Sequence, residues 1–146
     1  MAILAITDNT LNSLQAQSLC RFGPMFPKEW LLTHPQGILG LVLFCTGVFI
    51  NWQSDEILKS LRNEGKGYQI PMGGLFSFVT APHYFGEIVE WIGFSLACQC
   101  TIASVAFAIY TSANLIPRAT AHHAWYKATF GDKYPRSRRA VVPFIW

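Results

Sequence analysis

Two acidic residues lie in a long apolar stretch, and this stretch constrains the fold more than any other feature of the sequence. Between Leu75 and Ile116 the only charged residues are Glu87 and Glu90. A charge inside a membrane segment is costly and usually marks a functional site or a partner. Because residues three apart on a helix are neighbours, the two carboxylates lie on one face. We therefore expect an apolar helix that carries a functional polar site.

The composition favours a membrane protein of one domain or part of one. The chain has 146 residues, of which 51% are hydrophobic and 13% are charged, whereas an ordinary soluble domain has about 25% charged residues. The segment from Met1 to Leu19 lacks a basic start and a continuous apolar core, so it does not resemble a secretory signal. Entry into the membrane is therefore expected to depend on internal helices.

Apolar runs predict about three membrane-embedded helices. The run from Gln36 to Trp52 has no charge and is near the lower length limit for crossing a bilayer. The tract from Tyr84 to Ile116 is interrupted by the polar group Gln99 to Thr101, which predicts a helical hairpin of Tyr84–Cys98 and Ile102–Leu115. The expected fold class is an all-α membrane protein with additional amphipathic interfacial helices.

An amphipathic helix is predicted after the first span, in the sequence SDEILKSLRNEGKGY. It is expected to end at Gly65 and Gly67, and its polar face carries Asp55, Lys59 and Arg62. The residue pattern alone favours a solvated interfacial face.

The start of the next helix has its own signals. Thr80 and Ala81 offer a cap, and Pro82 suits the first helical turn.

Basic residues predict the orientation of the chain. The loop with Lys59 and Arg62 and the basic tail after Arg118 should both be cytosolic, since lysine and arginine mark that side of a membrane. Met1 is then expected on the lumenal side. We expect a lipid bilayer as the surroundings of this chain and no nucleic-acid partner.

A stripe of polar residues follows the apolar tract. Arg118, His122 and Tyr126 are spaced at i, i+4 and i+8, so they share one helical face. Cationic, imidazole and phenolic groups in this arrangement suit phosphates or a ribose. The same pattern is equally typical of a membrane-surface helix whose side chains reach the headgroups.

The four cysteines do not predict a metal site. Cys20, Cys45, Cys98 and Cys100 include one C-x-C pair but no second pair with zinc-ligand spacing. They are expected to be reduced and packed within the bilayer.

Three runs together resemble a known family. GVFINWQSDEILKSLR, GYQIPMGGLFSFVTAPHYFGEIVEWIGF and NLIPRATAHHAWYKATFGDKYPRSRRAVVPFIW look like the C-terminal half of the steroid 5-alpha-reductases, the 3-oxo-5-alpha-steroid 4-dehydrogenases. The resemblance covers residues 36–146, and residues 1–35 form a divergent N-terminal segment. It implies part of a seven-span, multi-pass enzyme of the endoplasmic reticulum membrane. Such an enzyme uses NADPH to reduce the 4,5 double bond of a 3-oxo-4-ene steroid.

The resemblance also implies a set of site residues. Glu87 and Tyr126 are expected to be catalytic. The residues expected to bind NADPH are Asn51, Asp55, Arg62, Tyr68, His83, Glu87, Arg118, His122 and Tyr126.

This sequence departs from the family in two places. His83 stands where relatives usually have asparagine. Residues 1–35 offer no match to the family's N-terminal helices, which hold the steroid ketone, so the substrate half of the site is expected to be missing and activity impaired.

Other functions fit the same residues. A very-long-chain enoyl-CoA reductase shares the hairpin and the tail, although the runs GGLF and YFGEIVEW favour the steroid branch. A membrane methyltransferase with a similar pocket ranks third. A different class is a non-catalytic membrane fragment that pairs with a full-length relative.

Overall fold

The computed structural model describes residues 29–63 and 67–145, and within these ranges the chain is helical with no β-strand. This confirms the predicted all-α class. The α-helices are α1, Trp30–Thr33; α2, Pro35–Asn63; α3, Pro82–Ala97; and α4, Ile102–Phe130. Two short 3-10 helices cover Gly74–Ser77 and Gly131–Lys133.

Helix α2 joins two segments that the sequence suggested separately. The uncharged run and the amphipathic run that follows it form one continuous helix, which ends at Asn63. In the described part of the chain, Pro35–Arg62 is the one helix long and apolar enough to cross a membrane. Of the predicted membrane passes, α3 and the first half of α4 remain predictions.

Glycines allow α2 and α3 to pack backbone against backbone. Gly40 and Gly47 of α2 face Gly93 and Gly86 of α3, and a Cβ on any of the four would lie within 3.0 Å of backbone atoms on the opposing helix. The pairing of Gly40 with Gly93 and of Gly47 with Gly86 makes the two helices antiparallel. Close approach of this kind is how small residues let apolar helices associate where no hydrophobic effect acts.

The predicted hairpin is present between α3 and α4. Gln99 and Cys100 turn the chain with positive φ values of 56° and 53°. The Thr101 side chain then caps α4 by accepting a hydrogen bond from the Ser104 backbone N–H. The second helix is longer than expected, because it continues through Pro117 to Phe130. The basic tail thus begins inside α4 rather than after it.

The C-terminal segment runs back along the start of α3. Arg139 accepts a hydrogen bond from the Thr80 N–H at 2.9 Å and donates one to the Phe78 carbonyl at 2.9 Å. Ala81, Ala119 and Val141 are fully buried beneath this crossing. The tail therefore fixes the ends of α3 and α4 relative to each other.

One capping prediction is wrong. The residue preceding α3 is Ala81, and no side chain caps the helix, although Pro82 occupies the first turn as expected. The Thr80 hydroxyl is turned away from the helix start, because it hydrogen-bonds His123, Tyr134 and the Arg139 carbonyl instead.

Candidate functional site

Three helices bring polar side chains together at one end of the bundle. Asp55 of α2, His83 of α3 and His122 of α4 lie close enough for the first and last to act on the charge of His83. Since α2 and α3 are antiparallel and α3 and α4 form a hairpin, this end contains the last turns of α2, the first turns of α3 and the last turns of α4. All three are among the residues that the resemblance assigned to NADPH binding, and that role stays a prediction.

His83 is neutral and incompletely satisfied. Burial lowers the pKa of its imidazole from the ordinary 6.5 to about 4, Asp55 opposes this shift, and His122 adds to it. Its Nδ1 atom is buried, with no hydrogen-bond partner among the described residues. A buried polar atom without a partner is costly and calls for an explanation.

Aromatic contacts hold the hairpin ends in register. The ring of Tyr84 lies 4.2 Å from that of His83 and 5.8 Å from that of His122, centroid to centroid. The contact with His122 is edge-on, with an interplanar angle of 65°. Such edge-to-face pairs stabilise by about 1 kcal/mol beyond their buried area.

Glu87 lies one turn further into α3 and faces α4. Its half-buried carboxylate interacts with the Arg118 guanidinium and with the Trp91 indole. The charge of Glu87 acts on the carboxyl group of Glu90, so the two residues are neighbours, as their spacing predicted. One carboxylate of the apolar tract thus lies within electrostatic range of Arg118, the first member of the predicted stripe.

Tyr126 and Tyr68 belong to an aromatic group beside this cluster. Tyr126 stacks on Tyr134, with ring centroids 5.7 Å apart. Tyr68 is 81% exposed and packs edge-on against Trp125 at 5.2 Å. Burial raises the pKa of the Tyr126 phenol, and neighbouring Tyr134 raises it further, while Arg138 lowers it. Tyr126 therefore carries its proton at neutral pH.

Two predicted residues are at the margin of the cluster. Asn51 is half-buried where α2 crosses Gly86 of α3. Arg62 is exposed, about 10 Å beyond Asp55 along the same helix. In residues 29–63 and 67–145 no hydrogen bond or ion pair is seen between Arg62 and another predicted site residue.

The basic tail contains a buried residue that sequence patterns did not reveal. Arg138 is 2% exposed, and its Nη2 donates to the Pro71 carbonyl at 2.9 Å and to the Met72 Sδ at 2.8 Å. Its guanidinium carbon lies 5.4 Å from the centroid of the Tyr134 ring. In a run of arginines and lysines each residue looks solvated, so only the packing of the tail distinguishes Arg138 from exposed Arg139.

Across residues 29–63 and 67–145 the fold is all-helical, with one helix of membrane-spanning length and a cluster of polar side chains at one end of the bundle. Known proteins are similar to this chain in sequence. The model of the family described as 3-oxo-5-alpha-steroid 4-dehydrogenase matches residues 1–146. The chain therefore belongs to the 3-oxo-5-alpha-steroid 4-dehydrogenase family, as the motifs predicted.

Individual relatives give the same result. The chain is 41% identical over 147 residues to the steroid 5-alpha-reductase DET2 of Solanum lycopersicum, covering 100% of this chain and 56% of that protein. It is 43% identical over 145 residues to the 3-oxo-5-alpha-steroid 4-dehydrogenase 1 of Rattus norvegicus, covering 98% and 54%. For the Homo sapiens protein of the same name the identity is 42% over 147 residues, covering 100% and 54%. The chain spans about half the length of these curated relatives.

Proposed function

We propose that this chain forms the NADPH-binding part of a membrane oxidoreductase that reduces the 4,5 double bond of a 3-oxo-4-ene steroid. The observation that carries the proposal is the convergence of Asp55, His83 and His122 from three helices, in a chain of this family. The names of the relatives favour steroid reduction over enoyl-CoA reduction.

The residues at this end of the bundle suit a dinucleotide phosphate. The Nδ1 of His83 is a buried polar atom with no hydrogen-bond partner in the part of the chain that the structure describes. Arg118 and His122 supply cationic and hydrogen-bonding groups for phosphate, and exposed Tyr68 supplies an aromatic face. We assign Asp55 on α2 to a ribose hydroxyl that carries no phosphate, because a carboxylate oxygen accepts hydrogen bonds.

The proposed chemistry divides between the cofactor and the chain. NADPH supplies the hydride that is added to the carbon beta to the ketone, and a proton must reach the alpha carbon. Because Tyr126 keeps its phenolic proton at neutral pH, its Oη can donate a hydrogen bond or that proton. Glu87, on which the charge of Arg118 acts, is the second residue that we assign to catalysis.

We infer the orientation in the membrane from the basic residues near this cluster. The cluster lies at the end of α2 that carries Lys59 and Arg62, on the same side as the basic tail. We therefore assign the site to the cytosolic face of the endoplasmic reticulum membrane, with a multi-pass chain and a cytosolic C-terminus.

Turnover in isolated membranes tests the proposal. Membranes containing the chain are incubated with NADPH and a 3-oxo-4-ene steroid, and the saturated product is measured against membranes without the chain. Product that is lost on Glu87→Gln or Tyr126→Phe supports the enzyme. Nucleotide binding without turnover supports instead a chain that pairs with a full-length relative, and absence of both overturns the proposal.

A further inference from the structure

Tyr134 is a buried tyrosine that neither the motifs nor the proposed chemistry uses. It follows the 3-10 turn Gly131–Lys133 and is 2% exposed. Its hydroxyl lies 2.6 Å from the Thr80 hydroxyl, in the segment that leads into α3. Tyr134 therefore links the end of α4 to the start of α3.

The hydrogen atoms in this contact can be assigned from the partners. Thr80 has one hydroxyl hydrogen, which it donates to the Arg139 carbonyl at 3.1 Å, because a carbonyl can only accept. The Thr80 oxygen is then left as an acceptor for the Tyr134 phenol and for Nδ1–H of His123. All three contacts of the threonine are satisfied in this arrangement, so the phenol of Tyr134 is fixed in direction.

Neighbouring side chains also restrict the ring of Tyr134. The Arg138 guanidinium lies over it at 5.4 Å, and His123 packs edge-on at 5.7 Å. The Nε and Nη1 atoms of Arg138 are buried and have no acceptor among the described residues, so the tyrosine ring is a main electrostatic partner of this cation. A buried cation placed in this way restricts the ring to one position.

The fixed ring packs on a residue of the proposed site. Tyr126 stacks on Tyr134 with an interplanar angle of 27° and is itself only half-buried. We propose that Tyr134 is a positioning residue. Its ring stacks on Tyr126 and sets the direction of the Tyr126 phenol, while Thr80 holds the Tyr134 hydroxyl by a hydrogen bond. The inference rests on the proposed NADPH site, to which it adds Thr80 and Tyr134 as residues that act through Tyr126.

A double-mutant cycle on NADPH binding tests the inference in the full chain. Tyr134→Phe keeps the ring and removes the hydroxyl, and we expect it to raise the NADPH dissociation constant about five-fold, the size of one lost hydrogen bond. In a Tyr126→Phe background the same change should have less than a two-fold effect, because the phenol that it positions is gone. Additive losses in the two backgrounds would overturn the inference.

Matched variants separate positioning from general loosening of the fold. Thr80→Ser keeps the hydroxyl and should bind NADPH as the wild type does, whereas Thr80→Val should weaken binding about as much as Tyr134→Phe. Ser104→Ala removes a buried hydroxyl that lies 3.3 Å from Ser95 at the opposite end of α3 and α4, and it should leave binding unchanged. The inference is contradicted if Ser104→Ala weakens NADPH binding as much as Tyr134→Phe does, or if Thr80→Ser weakens it as much as Thr80→Val does. A wild-type chain that binds no NADPH refutes the proposed function and this inference with it.

Discussion

Tyr84 on α3 and His122 on α4 meet edge to face, with their ring centroids 5.8 Å apart. This contact joins α3 and α4 at the end of the hairpin opposite its turn, where the C-terminal segment also crosses the two helices. The residues on either side of the pair consequently lie at the same end of the bundle as Asp55. They are His83 and Glu87 on α3 and Arg118 on α4. This cluster of polar side chains depends on helix packing rather than on a loop.

The glycine contact between α2 and α3 should therefore be essential for the fold. Gly47→Ala places a Cβ within 3.0 Å of backbone atoms of Glu90 and Gly86, so the helices must separate. We expect the free energy of unfolding to fall by about 3 kcal/mol, measured by denaturation in detergent. Gly67→Asn is the control, since nothing lies within 4 Å of Gly67 and asparagine tolerates its φ of 76°. Equal losses in the two variants would contradict the packing described.

His83 should make stability depend on pH. The fold lowers its pKa from 6.5 to about 4, so as the pH falls through 6.5 the unfolded chain takes up the proton before the folded chain does. Stability is complete above pH 6.5 and falls by about 3 kcal/mol on the way to pH 4. His83→Asn should remove most of this slope in thermal unfolding at pH 7 and pH 4.5. Exposed His34 provides the control, and a slope lost equally on His34→Asn would refute the assignment.

Arg118 should distinguish the two nicotinamide nucleotides. An arginine that pairs with the 2′-phosphate has no such partner in NADH. We expect Arg118→Ala to weaken NADPH binding about ten-fold and NADH binding less than two-fold. Arg136→Ala is the matched control, because Arg136 is exposed and pairs with Asp132 at 2.7 Å. Equal losses for both nucleotides would show that Arg118 does not bind the 2′-phosphate.

The residue pattern predicted the helices better than it predicted the tail. The hairpin was predictable because polar Gln99 to Thr101 interrupts an apolar tract, whereas Asp55 and His122 were assigned to a nucleotide site only by family motifs. Burial of Arg138 was not predictable, since a basic run looks solvated until tertiary packing places one member under a tyrosine ring. Thr80 was likewise assigned to a cap by its position, whereas its hydroxyl bonds partners 43 and 54 residues away. Long-range contacts of this kind leave no local signal.

Direct NADPH binding to the purified chain tests the central claim that polar side chains of α2, α3 and α4 form one nucleotide site. We expect the wild type to bind, and His122→Ala and Asp55→Asn each to raise the dissociation constant about ten-fold. Gln36→Ala, at the opposite end of the bundle where Gln36 donates to the Leu96 carbonyl at 3.4 Å, should bind as the wild type does. A wild type that does not bind, or an equal loss for Gln36→Ala, would contradict the account.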